Sequence, residues 1–399
     1  MILTQIIIWF CSVALVYTYF IYPLLVKILS ASKKNNPIVF TRGEYLPTVS
    51  VLIPAYNEEA VIQEKIESVF SSNYPIENVE VLIGSDASTD ATNEIILKCE
   101  KKFPHLRLIV FTQRSGKPSV VNHLVSLAKN DILLLTDANV MLNQEAMFEM
   151  LKHFKNAEIA LVDSNMQHKG LKKEGISRQE KTYIKGEVNI KNAEGKIWGN
   201  MMGPFGGCYA IRKEYYSEIP SNLLVDDFYI NMKIFEKGGK AINEPLAVVY
   251  EDVSSILKEE FRRKIRIATG NFQNLSNFYP LLFKLNAVSF SFFSHKALRW
   301  KGPFFIIFAL ISNLLLVFYF QNLPVQMHLF YTTTLVVQII IFLMPIIDFI
   351  LNKINLHPLI PRLVSHFLSM NVALLIGFFR FLKGVNSGIW TPTQRNQFK

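Results

Sequence analysis

Two adjacent aspartates, Asp226 and Asp227, interrupt the apolar stretch NLLVDDFYINMKIF at residues 222–235. Apolar neighbours tend to bury them. Burying one carboxylate is costly, and two side by side also repel each other. Such a pair pushes one pKa upward, which suits a general base near neutral pH. Acids also favour a helix N-terminus, so a helix starting at this pair fits the same residues. Other polar clusters stand upstream: PAYNEE at 54–59, SDASTD at 85–90, QRSGKPSVVN at 113–122 and TDAN at 136–139. Ser88, Asp90 and Asn93 read equally well as ordinary helix caps. Several carboxylates meeting in one place would call for a cation or for hydrogen-bond donors.

The elements that must carry these clusters are legible as alternating apolar runs and helical stretches. VSVLIPA, VEVLIGSD, LRLIVFT and DILLLTD read as four strands, with helices near 58–72, 90–102 and 117–129 between them. Continuous Val/Ile/Leu runs mark strands covered on both faces. Their alternation with helices predicts a mostly parallel α/β sheet. In such sheets ligands sit beyond the carboxyl ends of the strands, where the polar clusters fall.

Taken in order, VSVLIPAYNEE, SDASTD, RSGKPSVVN, TDAN, GPFGGCYAIRKE and VDDFYI resemble the family 2 glycosyltransferases of GT-A fold over about residues 48–270. The flanking apolar segments are similar to the membrane-bound branch, with its cellulose, hyaluronan and poly-N-acetylglucosamine synthases. The resemblance implies a Rossmann-like GT-A domain and an inverting transfer from a UDP-sugar to a growing polysaccharide or a lipid-linked acceptor. It implies that Pro54, Ala55, Tyr56 and Glu58 border the nucleotide, that Asp86 accepts a hydrogen bond from uracil, and that Lys117 lies near the phosphates. Asp137 and Asn139 correspond to an Asp-x-Asp metal motif, implying a divalent cation, Mg2+ or Mn2+. Gly206 and Gly207 shape the acceptor side, Asp227 is the catalytic base and Asp226 its companion. In FRRKIRIATG, Arg263 stands where processive relatives carry Gln, Arg266 matches their Arg, and Ile267 replaces their Trp. Arg266 can pair with a diphosphate oxygen. Asn139 brings a ligand oxygen without charge, and the absent Trp argues against long-chain processivity. These two departures are what a catalytically degenerate membrane scaffold would rest on; intact Asp86, Asp137 and Asp227 oppose it.

The bulk properties frame this reading. Half of the 399 residues are hydrophobic, and the mean hydropathy is +0.23. Residues 2–26 and 303–320 carry no charge, 325–351 only Asp348, and 363–382 only Arg380. About 20 apolar residues span a bilayer, so the pattern predicts one span before the central region and about three after it. The expected division is an anchor at 1–30, a GT-A domain at 31–275, an interfacial amphipathic helix region at 276–301 with Trp300 at headgroup level, and a membrane region at 302–399. Lys33, Lys34, Arg299 and Lys301 at the edges predict a multi-pass protein of the cell (inner, plasma) membrane, its catalytic domain cytoplasmic. Three later spans would leave the C-terminus outside, against Arg380, Lys383, Arg395 and Lys399; either the bias is overridden or one segment does not cross. Cys11, Cys99 and Cys208 show no metal spacing and suit a reducing cytosol. The net charge of +10 fits anionic lipid or an anionic substrate. No basic stripe with stacking aromatics marks a nucleic-acid partner. The spans could form a channel, alone or as an oligomer, or serve as an anchor.

Overall fold

The computed structural model describes residues 1–169, 177–252, 257–319 and 323–389. An apolar helix, α1 (Ile2–Ser30), leads into an eight-stranded sheet. The strands are β1 (Val49–Ala55), β2 (Val79–Asp86), β3 (Leu106–Phe111), β4 (Ile132–Thr136), β5 (Val140–Leu142), β6 (Ile159–Lys169), β7 (Cys208–Arg212) and β8 (Lys240–Asp252). Their spatial order is β3-β2-β1-β4-β7-β6-β8-β5. The first four are parallel, as their apolar runs predict; β7 then enters antiparallel to both β4 and β6, and β6 runs parallel to β8. Every residue of β1 is buried. On the first half of the sheet lie α2 (Ile62–Phe70), α3 (Thr92–Glu100) and α4 (Lys117–Leu127), followed by α5 (Ala146–Leu151). The second half carries α6 (Ser177–Trp198) and α7 (Asp226–Glu236), and after β8 the chain enters α8 (Leu257–Asn277).

A helical stretch at 287–300, α9, joins this domain to α10 (Gly302–Tyr319), α11 (Val325–Lys353) and α12 (Leu359–Leu382). With α1, these last three are, among the described residues, the four helices long and apolar enough to cross a membrane. Trp300 does not reach an outer surface: it is 5% exposed and packs on Phe228 and Phe292, with centroids 5.3 and 6.1 Å away. Its apolar ring completes the core beneath the aspartate-bearing helix α7 instead of marking a headgroup level. The neighbouring polar residues of α9 are also engaged from within. Burial alone would raise the Glu187 pKa, yet His295, Lys296 and Arg299 hold it well below its usual value. Arg299 Nη1 donates to Glu187 Oε2 at 2.6 Å, and Tyr22 OH donates to Glu194 Oε1 at 2.7 Å. This buried cluster fastens α1 and α9 to α6.

The path of the later helices bears on the basic C-terminus. Trp9 stacks on Phe330 at 5.8 Å, so α11 starts beside the beginning of α1, remote from the sheet. Tyr19, near the domain end of α1, meets Phe367 of α12 at 5.2 Å. From there α12 lies lengthwise on α8. A Cβ added at Gly377 would stand 2.5 Å from Ala268 Cβ, and Phe378 packs on Phe272 at 5.2 Å. Beyond the helix, Asn222 Nδ2 donates to Val385 O at 3.2 Å and Gly388 N to Ser221 O at 3.0 Å. Both ends of α12 therefore lie on the side of the α/β domain, and with them Arg380 and Lys383. Arg395 and Lys399 lie outside the described residues.

At Gly377 the two backbones leave no space for a side chain. Gly377→Val is expected to separate α12 from α8 and to destabilise the protein by about 1–3 kcal/mol. A lowered thermal midpoint in detergent, read against a substitution at outward-facing Phe379, checks this.

Candidate functional site

The turn after β4 and the start of α7 face each other across one cavity of about 1250 Å3. Asp226 and Asp227 open α7, where unpaired backbone N–H groups favour acids; Phe228 N donates to Asp227 Oδ1 at 2.8 Å. Lys117 opens α4 after Gly116, whose φ of +85° suits glycine. The lysine Nζ lies 2.9 Å from Asp137 Oδ1 and 3.6 Å from Asp226 Oδ2. Burial alone would lower the Lys117 pKa, but Asp137 and Asp226 raise it above its ordinary value. Asp227 has no such direct partner among these contacts. Burial and the charge of Asp226 push its carboxyl up to about 7, although Lys117 opposes the shift. The pair thus separates into an ion-paired acid and a basic one.

Several groups hold this arrangement. Gly206, at φ +81°, leaves room for Asp227: a Cβ there would stand 2.5 Å from Oδ2. The loop before it is held by Asp163, which accepts from Phe205 N at 3.3 Å and from Lys191 Nζ at 2.6 Å. Arg266 Nη1 donates to Leu224 O at 3.0 Å, fixing the approach to the acid pair. Behind the β4 turn, Lys65 is 0% exposed; its Nζ donates to Thr136 Oγ1 at 2.7 Å and to Val140 O at 2.5 Å. Burial lowers its pKa to about 8. Sequence reasoning missed this lysine. The signal was present: Lys65 occupies the apolar face of α2 with Ile62, Ile66 and Val69.

Most of the expected site residues share the cavity wall. Pro54, Glu58 and Lys117 are there, as are Asp137 and Asn139, Gly206 and Gly207, Asp226 and Asp227, and Arg263 and Arg266. Ala55, Tyr56 and Asp86 are not on it. Ala55 is buried in β1. Asp86 is 0% exposed, and its carboxylate accepts from Arg114 Nε at 3.1 Å, Ser115 N at 2.6 Å and Gly116 N at 3.0 Å. The Arg114 guanidinium lies 3.3 Å from the Tyr56 ring centroid. Asp86 therefore ties down the loop before α4 instead of offering an open edge to a base. Arg263 is held bidentately by Glu260 at 2.9 and 3.0 Å.

Asp137 and Asn139 offer hard oxygen ligands, the donor type that Mg2+ and Mn2+ prefer. Among the described residues, no group of three or more His, Cys, Asp or Glu is gathered closely enough to hold a metal ion by itself. A cation would need oxygens from a bound diphosphate to complete its shell. A third acid that the sequence did not single out stands nearby: Glu251 of β8 accepts from Asn139 Nδ2 at 3.4 Å and lies 3.6 Å from His168 Nε2.

Comparisons with known proteins bear on the fold and on the domain that carries these residues. Residues 50–220 match the family model described as Glycosyl transferase family 2. The chain is 23% identical over 267 residues to the probable glycosyltransferase YdaM of Bacillus subtilis (strain 168), covering 63% of this chain and 62% of that protein. It is 23% identical over 239 residues to the poly-beta-1,6-N-acetyl-D-glucosamine synthase of Staphylococcus aureus (strain COL), covering 58% and 56%. The chain thus spans about three-fifths of the length of these curated relatives. Among solved structures, the mannosyltransferase PcManGT from Pyrobaculum calidifontis, in complex with GDP-Man and Mn2+, matches with a TM-score of 0.70. That match covers 95% of this chain and 99% of that one at 19% identity, a likeness of fold. Residues 50–220 thus match the Glycosyl transferase family 2 model, and the sheet that carries them has a GT-A-like fold.

Proposed function

We propose that the protein is a membrane-anchored, inverting glycosyltransferase moving a sugar from a nucleoside-diphosphate sugar to a polysaccharide or lipid-linked acceptor. The observation that carries this reading is Asp227, a carboxyl near pKa 7 on the wall of the cavity that also holds Lys117 and Asp137. In the reaction an acceptor oxygen attacks the anomeric carbon, the bond from that carbon to the diphosphate oxygen breaks, and Asp227 takes the hydroxyl proton. One displacement with one base inverts the configuration. Lys117 balances the leaving diphosphate, and Arg266 adds positive charge. A divalent cation bound through Asp137, Asn139 and the diphosphate would act there as a Lewis acid.

A UDP-sugar is the first reading of the donor, and it rests on the motif resemblance. The α/β domain is read as cytoplasmic. With α12 lying along α8, three helices cross the membrane, and the basic residues after α11 share the cytoplasmic side.

Three outcomes test the reading. Full-length protein in membranes, given a panel of labelled UDP- and GDP-sugars with Mg2+ or Mn2+, should release nucleoside diphosphate with one donor. Asp227→Asn should lower that rate by about 10^2–10^4-fold; an unchanged rate would remove Asp227 from the base role.

The second outcome is a pH profile. Asp227 works ionised, so kcat/KM should rise with pH through about 7 and level above it. Asp226→Asn removes a like charge and should move the midpoint down by roughly one unit. Stability runs the other way. Unfolded Asp227 titrates near 3.8 and folded near 7, so the folded protein holds a proton that the unfolded chain releases. The group therefore subtracts stability as pH rises through that window, and Asp227→Asn should raise the thermal midpoint at pH 8.

The third concerns orientation. A cysteine at Lys383, after Cys11, Cys99 and Cys208 are replaced, should react with a membrane-impermeant maleimide in inside-out vesicles and not in intact cells. Labelling in intact cells would return α12 to a crossing helix.

A further inference from the structure

The cavity continues past the acid pair. Beyond Asp227 its wall passes to Ile267 and Ala268 of α8, then to Leu363, Met370 and Leu374 of α12 and to Leu24 of α1. Of these, α1 and α12 are apolar enough for a membrane. One void thus has a polar end at the acids and an apolar end between α1 and α12, where Tyr19 and Phe367 join the aliphatic residues. A polysaccharide acceptor would want a row of hydrogen-bonding groups along that second stretch, and Ile267 puts an aliphatic side chain close to the acid pair. An acyl or prenyl tail fits it better.

The charge at the junction is specific too. Lys27, Lys264, Lys296 and Arg299 line the stretch between the two ends, against Glu187 and Glu260. Glu260 is itself held by Arg263. The positive excess lies at the level where the spans leave the domain, which is where a lipid phosphate would sit.

Resting on the transferase reading above, we propose that the acceptor is a phosphate-bearing lipid with a hydroxylated headgroup, entering from the membrane between α1 and α12. Its tail lies along Met370 and Leu374, its phosphate meets the cations at the junction, and its hydroxyl reaches Asp227. The hydroxyl oxygen forms the new bond to the anomeric carbon, its proton passes to Asp227, and the nucleoside diphosphate departs with the electrons of the broken bond.

The test uses full-length protein in vesicles with the labelled donor that it consumes. The probes are phosphatidylglycerol, which carries both phosphate and hydroxyls; diacylglycerol, a hydroxyl without phosphate; phosphatidylcholine, a phosphate without hydroxyl; and soluble glycerol phosphate. Label should enter the organic-soluble fraction with phosphatidylglycerol at least tenfold above the other three. Met370→Trp, which fills the tunnel, should abolish that transfer. The double variant Lys27→Gln and Lys264→Gln, polar changes at the junction, should reduce it severalfold. Equal transfer to diacylglycerol would overturn the phosphate assignment, and equal transfer to glycerol phosphate would overturn the lipid route. Label found only in free sugar or in a water-soluble polymer would overturn the proposal while leaving the transferase reading intact. If no donor is consumed, or Asp227→Asn is as active as the parent, the transferase reading itself fails.

Discussion

The site depends on one lysine between two acids. Lys117 Nζ reaches Asp137 and Asp226 at once, and these belong to opposite halves of the sheet. Without a cation there, carboxylates from the β4 turn and the start of α7 would repel across the cavity. With it, Asp226 is committed to an ion pair and Asp227 is left with burial and a like-charged neighbour. The difference between two adjacent residues of the same type is therefore electrostatic in origin. It also has a conformational requirement: Gly206 must lack a side chain, because Asp227 occupies that space.

The supporting groups are charged as well, and they are buried. Lys65 grips the β4 turn from behind, and the Asp163–Lys191 pair holds the loop that carries Gly206. Buried ion pairs are poor contributors to net stability, since desolvation offsets the attraction. Their value here is positional. Each ends in a hydrogen bond to a backbone group or hydroxyl within the two loops that face Lys117, so loop geometry is fixed where apolar packing alone would leave it loose.

How much of this was legible follows from where local pattern is strong. The four parallel strands announce themselves, because each is a continuous apolar run covered on both faces. Strands β6 and β8 do not: IALVDSNMQHK and KAINEPLAVVYED mix polar residues with apolar ones, and their pairing is long-range. The wall residues Asp137, Asn139, Asp226 and Asp227 were visible because acids interrupted apolar runs at strand or helix ends. Glu251 was missed because it lies in one of the mixed strands. Asp86 sits at a strand end like the others, yet its carboxylate turns to the loop before α4; only tertiary contacts distinguish those two outcomes. Trp300 shows the same limit. An amphipathic pattern cannot say whether its apolar face meets lipid or, as here, another part of the protein.

The joint between the α/β domain and the apolar helices is built from buried charge as well. Glu187 and Glu194 of α6 bind Arg299 and Lys296 of α9 and the Tyr22 hydroxyl of α1. Three elements are thus locked together at the level where the chain leaves the domain. Trp300 then packs directly on Phe228, the residue after Asp227. Asp227 is therefore one residue removed from the contact with α9, and Ile267 and Ala268 of α8 line the same cavity.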